Sequence, residues 1–368
     1  MPRPSRSPLL LGASLAALTV VAAACGASTA SPSASSTAAS AGPSVATSPE
    51  ATPAGSTALE ESLVVYSGRS EELVGPILER FEAQSGVDLE IRYAGTSELA
   101  ATILEEGDNS PADVFFSQDG GALGALGKEG RLAALPADLL EQVDERFRAE
   151  AGDWVGVTGR ARVLAYDTRE LQEADLPGSV QQLADPEWKG RLGWVPTNAS
   201  FQTFVTALRH QLGDEPTKAW LEGVQANEPK VYEGNAAALE AVRAGEIDVA
   251  LINHYYLFQA QAEAGEDYPV ANHFFTNSDA GALVNVAGVG VLKTAEHPAA
   301  AEALARFLLD EEAQTYFATE TYEYPLRSGT PPDPDLPALA DIQAPDLDLS
   351  DLDDLEGTLR LLQEAGVL

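Results

Sequence analysis

Short apolar segments alternate with segments of helical periodicity from Leu63 onward. Residues 63–66 are typical of a buried strand, and the apolar spacing after Ser70 predicts a helix that ends at Gly86. A strand over 87–92, a helix over Thr96–Glu106 and a strand over 113–117 follow. This alternation favours a parallel α/β sheet.

The same alternation resumes in the second half of the chain. We predict a strand over 192–195, a helix after the turn at 196–198, a helix over 236–244 that Asn235 opens, and a strand over 247–252. Ligands of open α/β sheets bind beyond the carboxyl ends of strands. The loops expected to face a ligand are therefore 67–70, 117–119, 198–200 and 253–256.

The N-terminal segment has the features of a targeting signal. Arg3 and Arg6 precede an apolar stretch over 9–24, which is short for a membrane span and ends in small residues before Cys25. We predict a lipoprotein signal peptide over 1–24 with lipid attachment at Cys25. The alternative is ordinary secretory cleavage with an incidental cysteine. Residues 25–58 are mostly Ala, Ser, Thr, Pro and Gly, a composition that predicts a disordered tether.

Composition excludes several functions. The chain carries 57 acidic and 22 basic side chains and a net charge of −35, which argues against binding to nucleic acid or to anionic membrane surfaces. A single cysteine excludes an internal disulfide and a cysteine-based zinc cluster. The common nucleophile-elbow, phosphate-loop and zinc-protease motifs are missing from the sequence, which argues against an enzyme. A secreted hydrolase remains the alternative from another functional class.

Tyr255 and Tyr256 are adjacent phenols that follow an apolar strand. A phenolate is a hard oxygen donor, and Fe³⁺ is a hard acid that can displace the phenol proton. The pair therefore indicates a candidate ferric site. The alternative is that one ring packs in the core while the other lines an organic pocket.

A series of short motifs resembles a known family. In chain order they are VYSGR (65–69), SPADVF (110–115), WVGVTGRAR (154–162), WKGR (188–191), GEID (245–248), NHYY (253–256), GALV (281–284) and EYPL (323–326). In this order and spacing they resemble the ferric-ion-binding proteins of bacterial ABC importers. The resemblance extends from about Leu63 to the C-terminus.

The resemblance implies an α/β fold of the two-lobed periplasmic-binding-protein (Venus flytrap) type with crossover hinge strands. The crossings are expected near 158–162 and 280–286. Lobe 1 would comprise 59–160 plus 285–335, and lobe 2 would comprise 161–284 plus 336–368. The acidic segment 333–356 is expected to be a solvated loop before a last short helix.

The resemblance also implies a set of site residues. Tyr255 and Tyr256 match the family's iron ligands. The family binds a synergistic anion, such as carbonate, phosphate or citrate, at the start of a helix, and the matching residues are Asn198 and Ala199, with Asn235 and Asn253 nearby. A positive helix start favours an anion. Simple N-capping is the alternative role for Asn198 and Asn235.

The sequence departs from the family pattern at two ligand positions. Ser70 occupies a place where relatives often have His, and Gln118, followed by Asp119, occupies a place where they often have a carboxylate. Gln118 and Asp119 remain candidate metal ligands, and Arg69 is a candidate anchor for the anion. His254 is a further polar residue of this loop.

The sequence thus predicts a lipid-anchored, extracytoplasmic solute-binding protein without enzymatic activity. It would capture Fe³⁺ with a synergistic anion by lobe closure, as a monomer, and deliver the ion to the permease and ATPase of an ABC importer. The main alternative is the same fold binding an organic anion, a sugar or a polyamine.

Overall fold

The computed structural model describes residues 59–265 and 267–368. The predicted signal peptide, Cys25 and the predicted tether lie outside these residues. The described chain belongs to one compact unit. None of its helices is both long enough and apolar enough to span a bilayer.

Parallel and antiparallel strands form a mixed sheet. The strands are β1 Ser62–Ser67, β2 Asp88–Tyr93, β3 Val114–Ser117, β4 Val155–Asp167, β5 Leu192–Trp194, β6 Lys230–Val231, β7 Val249–Asn253, β8 Val270–His273, β9 Val284–Val291 and β10 Tyr324–Pro325. Their order is β2-β1-β3-β9-β4-β7-β5-β6, and β8 and β10 also pair with β4. β1 is parallel to β2 and β3, and β5 is parallel to β6 and β7, as the alternation predicts.

Helices connect the strands and bury apolar side chains between themselves and the sheet. They are α1 Glu71–Ser85, α2 Thr96–Glu106, α3 Gly120–Lys128, α4 Ala137–Leu140, α5 Ala199–Leu212, α6 Asp214–Ala226, α7 Asn235–Arg243, α8 Tyr255–Ala264, α9 Pro298–Leu308, α10 Glu311–Thr319, α11 Leu339–Ile342 and α12 Leu355–Glu364. The bounds of α2 match the prediction. Gly86 has φ 75° and ends α1 in the left-handed conformation that glycine favours.

The long strand β4 changes partners along its length. Its first part, up to Ala161, pairs with β9, and its second part, from Arg162, pairs with β7. The change falls inside the segment 158–162 where the first crossing was expected. It places Arg160 and Arg162 on either side of the junction. The division into the two lobes given above stays a prediction.

Two local predictions are corrected by the structure. Asn235 is the first residue of α7 and not its cap, because Gly234 occupies the N-cap position in an extended conformation with φ −165°. The loop expected at 253–256 is instead the start of α8 at Tyr255.

The acidic C-terminal segment is not a fully solvated loop. Leu349 and Leu352 are each only 4% exposed and pack against α3. A Cβ atom on Gly124 would lie 2.2 Å from the Ser350 carbonyl oxygen, so the close approach of the two backbones requires glycine. Beyond this contact, α12 packs against α5 and α6.

Candidate ferric and anion site

The two tyrosines begin α8, directly after β7. Their rings stack with centroids 4.3 Å apart and planes 26° from parallel. Tyr255 is buried and Tyr256 is half-buried. Burial raises the pKa of Tyr255, the neighbouring Tyr256 raises it further, and the positive charge of Arg69 opposes the rise. Tyr255 is therefore a neutral phenol at neutral pH.

Three buried arginines surround the tyrosine pair. Arg69 follows β1, and Arg160 and Arg162 lie on β4, each no more than 3% exposed. Tyr255 and Tyr256, once ionised, would raise the pKa of both Arg69 and Arg162, because the four groups lie close enough to interact electrostatically. Such a concentration of buried positive charge is costly unless anionic groups share the site.

Glu323 neutralises part of this charge. Arg69 Nη2 donates to both of its carboxylate oxygens, at 2.9 and 2.8 Å, and Arg160 Nε lies 3.8 Å from Oε1. The carboxylate is fully buried. Sequence reasoning gave Glu323 no role, although it begins the quoted motif EYPL. Arg69, a candidate anion anchor, is thus mainly engaged with Glu323.

Arg160 and Arg162 keep unpartnered donors. Arg160 Nη2 donates to the carbonyls of Gln118 and Val286, and Arg162 Nη2 donates to the Ser200 carbonyl at 2.5 Å and to its hydroxyl at 3.2 Å. Within residues 59–265 and 267–368, Nε and Nη1 of both arginines have no hydrogen-bond partner. Burial, followed by the charge of Arg160, lowers the pKa of Arg162 to about 9, so it remains a cation at neutral pH.

Both arginines line a small cavity. Its free volume is only about 10 Å³, about the room that one water molecule needs, and it is lined by Arg160, Arg162, Ser200, Asn253, Leu283 and Asn285. Asn285 Nδ2 is another buried donor with no partner in the described part of the chain. A group with several acceptor oxygens and a negative charge would satisfy these donors. The donors around the cavity therefore suit an oxyanion, which would have to widen the cavity in order to bind there.

The start of α5 contributes to one side of this cavity. Asn198 caps the helix, because its Oδ1 accepts from the Ser200 N–H at 2.9 Å and from the Ser200 hydroxyl at 2.6 Å. The Asn198 side chain therefore acts as a helix cap, which was the alternative to a role in anion binding. Ala199 is the first residue of the helix, and its neighbour Ser200 lines the cavity. Asn235 is buried, and its Oδ1 has no partner among the described residues.

The two residues after β3 differ in what they can offer a metal. Asp119 caps α3 through a 2.8 Å bond from the Ala122 N–H to its Oδ1, and burial raises the pKa of its carboxyl. The Gln118 backbone N–H donates to the Thr96 hydroxyl, and its carbonyl accepts from Arg160. The half-buried side-chain amide of Gln118 makes no hydrogen bond within the described chain. Gln118 is thus the more accessible of the two donors.

His254 is not arranged as a metal ligand. Its Nδ1 accepts from the Ala161 N–H at 3.1 Å, and its Nε2 lies 2.8 Å from the Tyr322 carbonyl oxygen. Burial lowers its pKa to about 3, so the ring is neutral. Among the described residues there is also no cluster of three or more His, Cys, Asp or Glu side chains that could hold a metal. Any metal here would depend on the phenols.

Comparison with known proteins identifies the family of the chain. A family model of bacterial extracellular solute-binding proteins matches residues 109–353. The Fe(3+)-binding periplasmic protein of Serratia marcescens is 34% identical over 317 residues, which cover 86% of this chain and 93% of that protein. The chain therefore belongs to the family of periplasmic ferric-ion-binding proteins within that class.

Solved structures extend the match to the fold. Iron-bound HitA from Pseudomonas aeruginosa is 38% identical, with a TM-score of 0.79 over 83% of this chain and 100% of that chain. A Trichodesmium protein (IdiA, FutA) in complex with iron and citrate is 26% identical, with a TM-score of 0.73 over 83% of this chain and 100% of that chain. These matches confirm the predicted two-lobed fold. The family comprises binding proteins and not enzymes, which argues against a hydrolase.

Proposed function

We propose that this chain binds ferric iron through the phenolate oxygens of Tyr255 and Tyr256, and that an oxyanion in the Arg160–Arg162 cavity completes the site. The observation that carries the proposal is the stacked phenol pair beside buried guanidinium groups with unpartnered donors. Phenolates supply hard donors for Fe³⁺, and the guanidinium groups supply hydrogen bonds and charge for the anion.

The charges of the site support an accompanying anion. Arg69, Arg160 and Arg162 set against Glu323 leave two positive charges, which two tyrosinates would cancel. Bound Fe³⁺ would then leave the buried site strongly positive. A dianion or trianion reduces this imbalance and also occupies coordination positions that two phenolates leave open.

Carbonate, phosphate and citrate are the anions that fit this description. Arg162, Ser200 and Asn253 line the cavity, and Asn198 and Ala199 lie at the start of α5, next to Ser200. Asn235 begins α7 and is not among the lining residues, so it is the weaker candidate. Gln118 is a candidate further donor to the metal. Arg69 acts mainly through Glu323, and Asp119 acts mainly as the cap of α3.

We infer an extracytoplasmic location and delivery of the ion to the permease and ATPase of an ABC importer. The supporting observations are the match to extracellular solute-binding proteins and the signal-like segment before Cys25. Lipid attachment at Cys25 and a monomeric state complete this proposal.

The alternative ligands are less compatible with the site. A polyamine would bring further positive charge to three buried arginines, which is unfavourable. A neutral sugar would leave the charge of Arg160 and Arg162 uncompensated. An organic anion without iron remains the alternative to test.

The test is a titration with ferric citrate in bicarbonate buffer, followed by visible spectroscopy. Tyrosinate–iron complexes absorb visible light, whereas a complex with an organic anion alone does not. Tyr255→Phe and Tyr256→Phe keep the ring but remove a donor, so each should weaken iron binding by more than about 100-fold, the upper range for outer-shell groups. Tyr166→Phe, on the distal part of β4, is the matched control. Wild-type protein without a visible band would contradict the proposal.

A further inference from the structure

At the junction of β7 and α8, the imidazole of His254 accepts a hydrogen bond from the β4 backbone that the carbonyl of a paired strand would otherwise accept. Asn253 pairs with Arg162, and the next residue, His254, donates its backbone N–H to the Ala161 carbonyl at 3.0 Å. The chain then turns into the helix, and the His254 carbonyl bonds the Asn272 amide at 2.9 Å instead. The Ala161 N–H is consequently taken up by the ring nitrogen Nδ1 at 3.1 Å.

The second ring nitrogen reaches a different element. Nδ1 accepts a hydrogen bond and is therefore unprotonated, so the proton of the neutral ring is on Nε2. That N–H donates to the Tyr322 carbonyl at 2.8 Å. Tyr322 directly precedes Glu323, the counter-ion of Arg69, and has the left-handed φ of 57°.

Aromatic packing holds the ring between these two bonds. The His254 side chain is fully buried, and its ring centroid lies 4.9 Å from that of Tyr324 and 5.8 Å from that of Tyr255. One imidazole thus connects the backbone that carries the tyrosines with the backbone between Arg160 and Arg162. It also connects these two backbone segments with the turn that carries Glu323.

We infer that His254 is a positioning residue of the ferric site. Its two hydrogen bonds fix the first turn of α8, and hence Tyr255 and Tyr256, relative to the Arg160–Arg162 cavity and to Glu323. This inference rests on the proposed function, because its effect is measured through iron held by the tyrosines. Histidine acts here from outside the coordination shell, without a bond to the metal.

Three substitutions separate the two bonds. His254→Asn keeps an amide oxygen near the position of Nδ1 and can still accept from Ala161. His254→Gln places an amide N–H near the position of Nε2 and can still donate to Tyr322. His254→Leu keeps neither bond. The matched control is His273→Gln on β8, because the Nε2 of His273 also faces a backbone carbonyl, that of Pro177 at 3.1 Å, and this histidine is not adjacent to the tyrosine pair.

The experiment measures ferric affinity in bicarbonate buffer, the visible band at iron saturation, and the melting temperature of the iron-free protein. We expect His254→Leu to weaken iron binding by about 10- to 100-fold and to shift the visible band, with smaller effects of the same kind in His254→Asn and His254→Gln. His273→Gln should change neither the affinity nor the band.

Two results would overturn the inference. One is wild-type affinity and an unchanged band in all three variants. The other is a loss of affinity that only parallels the loss of iron-free melting temperature, with the saturated band unchanged, which would indicate a general structural role. His254→Asn and His254→Gln keep the test decisive if His254→Leu does not fold. Failure of the proposed function is distinguishable, because wild-type protein would then show no visible band.

Discussion

At the scale of single residues, Tyr255 is buried before any metal arrives. Burial raises its pKa above that of a free phenol, and the opposing charges of Arg69 and Arg160 are not sufficient to reverse the rise. The protein therefore holds the residue as a neutral phenol at physiological pH. In the proposed site the metal must displace that proton, which a trivalent cation such as Fe³⁺ does more readily than a divalent cation.

Binding of iron should accordingly release protons. Each phenol that becomes a ligand loses one proton, so the affinity falls about tenfold per pH unit of acidification for every proton released. Calorimetry in buffers of different ionisation enthalpy counts these protons when iron is added as ferric citrate. Tyr255→Phe should lower the count by one. Wild-type binding without any proton release would contradict the role of the phenols.

The individual residues of the site were only partly predictable. The tyrosine pair was recognisable because two adjacent phenols at a strand end are unusual and match a family pattern. The pairing of Arg69 with Glu323 joins residues far apart in the chain, and sequence spacing carries no information about such a contact. For the same reason Arg160 and Arg162 appeared only as part of a motif, without a role.

At the scale of helices and strands, local signals decided which elements could be predicted. α1 and α2 have clear apolar periodicity, and Gly86 ends α1, so both were predicted closely. α8 has no such start signal, since His254 at its N-cap position makes no side-chain capping bond and already has helical φ and ψ. The helix begins there because of bonds to β4 and Tyr322, which are tertiary contacts.

The packing of the C-terminal segment on α3 gives a prediction at this scale. Gly124→Ala would place a Cβ 2.2 Å from the Ser350 carbonyl oxygen, and both groups belong to backbone that cannot move alone. We expect a loss of about 1–3 kcal/mol in the free energy of unfolding, which is typical of overpacking. Denaturant unfolding of the iron-free protein measures it.

Gly178→Ala is the control for this substitution, because its nearest neighbouring atom would lie 3.8 Å away, at ordinary contact distance. It should leave the free energy of unfolding nearly unchanged. Equal stability of Gly124→Ala and wild-type protein would show that the segment 349–352 does not pack tightly on α3 in solution.

At the scale of the whole molecule, charge is distributed in opposite ways on the surface and at the site. The chain has a net charge of −35, yet three of its arginines are buried around the tyrosine pair. A negative surface attracts a cationic ligand over a distance, while the buried arginines favour an anion at the site itself. A ferric ion that is accompanied by an oxyanion meets both conditions.

Iron binding should therefore depend on a synergistic anion. In buffer stripped of bicarbonate, phosphate and citrate, the affinity for iron added as a weakly held chelate should fall sharply, and restoring one of these anions should recover it. Arg162→Gln removes one of the two guanidinium charges that line the cavity, together with its unpartnered Nε and Nη1 donors, so the anion should then improve affinity far less. Arg162→Lys, which keeps the charge but loses the planar set of donors, should be intermediate.

Arg191→Gln is the matched control for the anion test, because Arg191 is a partly exposed arginine that pairs with Asp248 at 2.5 Å. It should respond to added anion as the wild type does.

Asn198→Leu should also weaken the anion effect if the start of α5 contributes donors, beyond the loss of stability expected when the cap of that helix is removed. Equal iron affinity with and without anions in wild-type protein would mean that side chains alone complete the coordination. Gln118 would then be the first residue to substitute, because its amide makes no hydrogen bond within the described chain and is the more accessible donor after β3.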